Sequence, residues 1–476
     1  MQSKHYLSAF LGLGVFAVGV VSLTTSADSQ IPGDRPVLQS HVDQARINTG
    51  HLRLNDLVPL GRFLFAAKFN KLDGFGRPAA TGNGTPTHRD PTNMPLMNRV
   101  SGLDANSCAG CHNEPAVGGS GDFVANVFVL GQLANPPLDS TDPQFSNERN
   151  TLGMHGAGAI EALAVEMSQE LIAIREAAKA AAMQSNQNVT RDLVTKDVDF
   201  GQITARPDGT FDTSGVEGVD ADLVIKPFHQ KGVVNSIRVF TNNAYNHHHG
   251  MQSVERFGFA RTGTNDFDED GVIDELSVGD ITAASLFQAA LAIPKQVLPA
   301  DGRERQVIRR GENLFGQVGC ATCHKPRMIL NNPMYQEPNP FNPPGNLRVQ
   351  DVPRPFTFNL TNQGLGNRLE RWIGGRAVVR AFTDLKRHKM TDAGDPFFDN
   401  ERVLQAGVPT DVFITRKLWD CGSSAPFGHR GDCSTMGEAI MHHAGEARTS
   451  RDQFMLLNAT DQEAIIAFLM SLQVVP

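Results

Sequence analysis

Apolar positions fall at helical spacing in three stretches of this chain. Residues 159–184 are alanine-rich with Glu and Lys interspersed, and 281–291 carry a second apolar stripe. The clearest is the last. Thr460 and Glu463 stand at capping-box spacing, and Ile465, Phe468, Leu469 and Leu472 follow on one face. Strand patterns are few and short, 123–130 being one. Gly (45) and Pro (27) are frequent between these elements, and residues 74–98 and 335–346 are dense in turn formers. The pattern predicts a mainly α chain with long loops and few short strands.

One hydrophobic run stands apart. Lys4 precedes an apolar stretch over 7–23, and the small residues Thr25, Ser26 and Ala27 lead into polar Asp28. That is the order of a secretory signal peptide, here 1–27. An uncleaved anchor is the alternative, but a run of about 17 residues sits at the lower limit for a span. No later segment is as long and apolar. The mature chain is therefore expected in the periplasm without a stable membrane span, and its cysteines in an oxidising compartment.

Charge narrows the function classes. The 476 residues hold 43 Lys and Arg against 51 Asp and Glu, a formal charge of −8, with only 7% aromatic residues. Nucleic-acid binding normally shows a basic surplus and stacking platforms, so no nucleic-acid partner is expected.

Six cysteines carry the chemistry. Cys108-Ala-Gly-Cys111-His112 and Cys320-Ala-Thr-Cys323-His324 are both Cys-x-x-Cys-His, the attachment signature of c-type haem. The cysteine pair forms thioethers along one porphyrin edge, and the adjacent His supplies the proximal nitrogen to iron. A thioredoxin-like pair would need a βαβ context, and a zinc site four ligands at close spacing; neither is present. A weak internal repeat accompanies the motifs. GRFLF (61–65) and GENLF (311–315) precede the two cysteine pairs, and AYNHH (244–248) is echoed by AIMHH (439–443).

Five segments make a more specific pattern: 108–123, 242–258, 266–280, 314–326 and 418–447. On these the chain, from about residue 55 onward, resembles the bacterial di-haem oxidoreductases related to di-haem cytochrome c peroxidases. The resemblance implies two cytochrome c-like domains, each with one covalently bound haem. The boundaries expected are 28–297, with a calcium loop at 266–277, and 298–476. It also implies that His443 is the second axial ligand of the electron-transfer haem, with His442 as its rival. In the first half, relatives place a catalytic Glu where this chain has His248, beside His249. His248 and His249 are the catalytic candidates, one of them on the distal side of the first haem, and two roles fit such a histidine: proton transfer to and from hydrogen peroxide, or direct ligation of the iron at rest. A surface turn is the bland alternative for the triple His. His155, Met154, Met251 and Arg238 are lesser candidates, better explained by packing or an ordinary ion pair.

Asp266, Asp268, Asp270 and Asp274 with Gly271 follow D-x-D-x-D-G-x-x-D, an incomplete EF-type loop with Ser277 where the last Glu would stand and Glu275 in reserve. Calcium is expected there. Cys421 and Cys433 flank one short loop and are expected to form a disulfide. His429 and Arg430, inside that loop, are candidates for contact with the second haem.

The function expected is a periplasmic peroxide reductase with two covalent c-type haems. Its electrons would come from a small c-type cytochrome or copper protein. A di-haem oxidase of an organic or protein substrate, and a bis-ligated electron carrier, are the alternatives.

Overall fold

Seven helices position the sites: α1 (Leu54–Ala66), α2 (Ala157–Ser185), α3 (Ile237–His249), α4 (Val278–Ala289), α5 (Gly302–Gln317), α6 (Met436–Met441) and α7 (Ala459–Met470). This computed structural model describes residues 33–76, 105–121, 124–127, 147–401 and 404–475. The expected signal peptide and most of the loop expected over 74–98 lie outside the described residues. The chain divides into a short leading unit, Met1–Arg35, and one compact unit, Pro36–Pro476. Among the described residues no helix is long and apolar enough to cross a membrane.

The GRFLF and GENLF repeats become one packing device used twice. Helix α1 crosses α4 where a Cβ on Gly61 would collide with the Ala283 carbonyl, and α5 crosses α7 where one on Gly311 would collide with that of Ala464. One turn on, Phe65 meets Phe287 with ring centroids 5.3 Å apart, and Phe315 meets Phe468 at 5.5 Å. Only glycine lets the two backbones approach so closely. The first crossing sits in the larger core, with Leu57, Leu163, Phe287 and Trp419. The second sits in a smaller core with Ile308, Phe454 and Ile465.

The expectation of a mainly α chain with few strands is overturned. Helix makes up 37% and strand 15%, and the described residues hold fourteen strands in six small sheets. The arrangement is not clearly two cytochrome c-like domains. Most strands are two to four residues long and pair inside Gly- and Pro-rich stretches that read as loop, because so short a segment shows no periodicity. The longest hairpin pairs β1 (Val189–Thr195) with β2 (Val198–Ala205), and β3 (Phe211–Asp212) adds to it. Lys196 and Asp197 close it with φ of 51° and 60°, the left-handed pair of a tight hairpin turn. In β2, Val198, Phe200, Ile203 and Ala205 are buried, a usable signal that the glycine-rich surroundings obscured.

Three other local expectations shift. The segment 335–346 begins as a strand, Met334–Glu337, paired with Phe356–Asn359, before it turns. The strand expected over 123–130 is Val124–Val127, paired with Asn147–Asn150. Helix α7 starts one residue before Thr460. Asn458 is the cap and accepts from the Asp461 N–H, while the expected face of Ile465, Phe468 and Leu469 is buried.

Candidate functional site

Both Cys-x-x-Cys-His segments fold into one tight turn. The His112 N–H bonds the Cys108 carbonyl at 2.9 Å and the His324 N–H that of Cys320 at 3.0 Å, so each imidazole stands just beyond its cysteine pair. Each then donates through Nδ1 to a loop carbonyl, His112 to Leu152 and His324 to Phe382, both at 3.0 Å. A carbonyl only accepts, so Nδ1 carries the proton and Nε2 is left as a bare donor of electrons, the tautomer a metal-binding histidine needs. Burial pulls both pKa values down to about 4, with a further lowering from the charge of a second histidine: His248 for His112, His443 for His324. Phe65 and Phe315 stand 6.2 and 6.3 Å from the respective rings.

At the second site the partner is explicit. His443 faces His324 with ring centroids 6.4 Å apart, and its Nδ1 donates to the Ala439 carbonyl one helical turn back, at 2.8 Å. Two imidazoles bound at about 2 Å to one metal ion stand with centroids roughly 6 to 6.5 Å apart. The rival His442 stacks on Phe397 at 3.5 Å instead.

The first site opens on a cavity. His112, Cys108 and Cys111 line it together with His247, His248 and His249 from the end of α3. Phe65, Met154, Ile160 and Phe240 supply apolar walls, and Arg149, paired with Glu401, and Arg416 and Lys417, paired with Asp420, add cations to the lining. This is the donor set a porphyrin with two carboxylates requires: an apolar slot, a bare imidazole, two thiols and cations. Burial pushes the Cys108 thiol up to about 12 and that of Cys320 to about 11, which opposes a reactive thiolate. His249 is tied to the Ala105 carbonyl through Nδ1 and lies 3.5 Å from the Cys108 sulfur through Nε2, on the cysteine edge. His248 lines the cavity within electrostatic reach of His112.

The cations and one polar cluster were not anticipated. Arg149, Arg416 and Lys417 come from two distant segments, so no spacing announces them. Burial lowers the Lys417 pKa to about 8 against the pull of Asp420. Arg416 also offers its backbone to His324, so this residue touches both sites. Beside the second site, Cys323, Asp384 and His388 converge within 4.8 Å. Burial opposes protonation of His388, but Asp384 and Cys323 outweigh it and raise the pKa to about 11.

The lesser candidates fall where packing explains them. Arg238 is fully buried on Glu255 and Glu337. His155 donates to the Ala292 carbonyl at 3.3 Å, Met154 lines the first cavity, and Met251 is buried in the larger core. His429 bonds Asn400 at 3.0 Å beside Phe413, and Arg430 reaches the Asn400 carbonyl.

In the acidic loop, carboxylate oxygens of Asp266, Asp268 and Asp270 lie within 4.8 Å of one another. Asp274 is not in this group; its N–H bonds the Asn265 carbonyl at 3.0 Å. Asp268 is buried with neither carboxylate oxygen hydrogen-bonded, and burial together with Asp270 and Asp266 lifts its pKa to about 7. Glu275 is lifted to about 10 by burial and then Asp268. Such a set fits a hard cation. The expected Cys421–Cys433 disulfide is not formed. All six cysteines are among the described residues and none is bridged. The Cys421 thiol turns into the smaller core and donates to the Leu469 carbonyl at 3.1 Å, while Cys433 is held in a backbone bridge with Phe427.

A family comparison now adds evidence from outside the cysteine motifs. Residues 362–472 match the family model described as "di-haem oxidoreductase, putative peroxidase". The matched span holds His443, Arg416 and Lys417 but neither Cys-x-x-Cys-His, so the di-haem match and the two attachment motifs agree independently. A di-haem family implies haem as the cofactor. No curated protein matches the chain.

Proposed function

We propose that this chain is a periplasmic di-haem peroxidase. It would reduce hydrogen peroxide to water with electrons from a small c-type cytochrome or copper protein. Cys108, Cys111, Cys320 and Cys323 would hold two haems covalently, His112 and His324 would bind the irons, and His443 would be a further ligand at the second site. Haem supplies the redox equivalents: two electrons and two protons turn one peroxide into two waters, and two haems store the two electrons a one-electron donor delivers singly.

The chain's own residues do the rest. Leu152 and Phe382 hold each proximal ring in the iron-binding tautomer. The apolar walls around Phe65 and Phe240 exclude bulk water from the first cavity. A ring nitrogen of His248 takes a proton from peroxide and returns it to the departing oxygen, and His249 braces the cysteine edge. Asp266, Asp268 and Asp270, with Glu275 close by, would hold calcium.

One difference carries the reading: the second site pairs His324 with an opposed imidazole, whereas the first opens a cavity onto which His248 faces. His248 lies close enough to His112 to lower its pKa, so it would also be placed to hold the first iron at rest. Optical and electron-resonance spectra of the pure protein test both. Low-spin iron at the second site, and a first site that answers peroxide as isolated or after half-reduction with calcium, support the proposal. Two low-spin irons indifferent to peroxide under every condition overturn it in favour of an electron carrier.

A further inference from the structure

A second cavity, about 840 Å³ in volume, shares no lining residue with the first. It lies between the start of α1 and the segment leading into the strand Phe356–Asn359, within the size range of small-molecule sites. Three arginines line it: Arg53, Arg354 and Arg368. The guanidinium groups of Arg354 and Arg368 make no hydrogen bond or ion pair with the described residues.

Among the described residues Glu337 is the only acid in the lining. It is 1% exposed and already held by Arg238 and by the Tyr335 hydroxyl at 3.4 Å, so it does not neutralise the rim. The opposite character comes from Ile47, Leu52, Val352 and Phe356, which give the cavity an apolar wall. In a chain of net charge −8, a concave surface with a positive rim is a local reversal of sign. Arginine forks pair with carboxylates in two parallel hydrogen bonds, and the apolar wall has room for a hydrocarbon body.

We infer that this cavity binds a small organic carboxylate with an apolar body, its carboxylate held by Arg354 and Arg368. An acidic protein segment would suit the charge but not the apolar wall of Ile47, Leu52, Val352 and Phe356. The site is separate from the haem cavity, so the inference stands or falls independently of peroxide chemistry.

Calorimetric titration of the full chain, loaded with haem and calcium, with 1-naphthoate tests it. Saturable binding at one site is expected. The double variant Arg354→Gln/Arg368→Gln should weaken it about tenfold or more, while exposed Arg303→Gln on α5 leaves it unchanged. The neutral analogue 1-naphthalenemethanol should bind at least about tenfold more weakly. Unchanged haem spectra establish that the variants are folded. No saturable binding, equal binding of the neutral analogue, or an unaffected double variant would each overturn the assignment.

Discussion

The two Cys-x-x-Cys-His sites are supported alike and completed differently. In both, a glycine crossing brings two helices together, a phenylalanine one turn on packs beside the proximal ring, and a loop carbonyl fixes its tautomer. What differs is the opposite side. His443 follows the short α6 and is held against its own helical turn, 6.4 Å from His324. The first site meets three histidines at the end of α3, beside an apolar slot whose lining also holds three cations. The lesson is that the supporting scaffold can be duplicated while reactivity is set by what the facing element delivers.

The sharpest way to break that comparison is to exchange the facing groups. His248→Ala should lower peroxide turnover about a hundredfold or more, read by stopped-flow oxidation of a reduced cytochrome. His443→Ala should instead turn the second iron high-spin. Equal loss in both would mean the sites are not specialised. Next come the crossings. Gly61→Ala and Gly311→Ala should each cost about 1–3 kcal/mol or more by overpacking, and similar falls in melting temperature would establish one device used twice.

Calcium is expected to act on one side. Chelation should remove stabilisation of about 2.7 kcal/mol if the ion stands at a hundred times its Kd, and Asp268→Asn should abolish the effect. Glu275 accepts from the Gln252 N–H, three residues beyond His249, so the first-site spectrum should shift and the His324–His443 signal should not. An equal shift at both would defeat the assignment.

Glu161 is the gentlest lever. It accepts from the Ile237 N–H at the start of α3, and burial, then Glu337, raises its pKa to about 8. A carboxyl raised in the folded state gives stability that is present below its unfolded value near 4.5 and lost as pH climbs to about 8. Melting of Glu161→Gln against the parent should therefore move in the variant's favour from pH 5 to 8, by about 1 kcal/mol or more, with turnover unchanged. A constant difference would remove Glu161 as the source.

Much of the site was legible because its chemistry is local. A cysteine pair two residues apart and the histidine beside it must share one turn, and carboxylates on alternating positions of a tight loop converge. The repeated Gly and Phe were also visible, though their meaning, a helix crossing against Ala283 and Ala464, was not. The fold class was misread because two- to four-residue strands show no period, and their stability comes from pairing partners far along the chain. Hydrophobic periodicity did locate α2, α4 and α7, since burial of one helical face is a local signal. The last two cysteines had spacing suited to a bridge, but the smaller core turns Cys421 to Leu469 instead.

From its sequence alone, then, this protein had its two attachment motifs, its acidic loop and its longest helices determined, each a matter of neighbouring residues. Tertiary structure decided that His443 rather than His442 faces His324, and that His249 falls to the cysteine edge while His248 meets the cavity. It alone brought Arg149, Arg416 and Lys417 to the lining of one cavity. The physical reason is range. Backbone geometry relates residues within a turn or two, whereas a facing group's position depends on how distant segments pack.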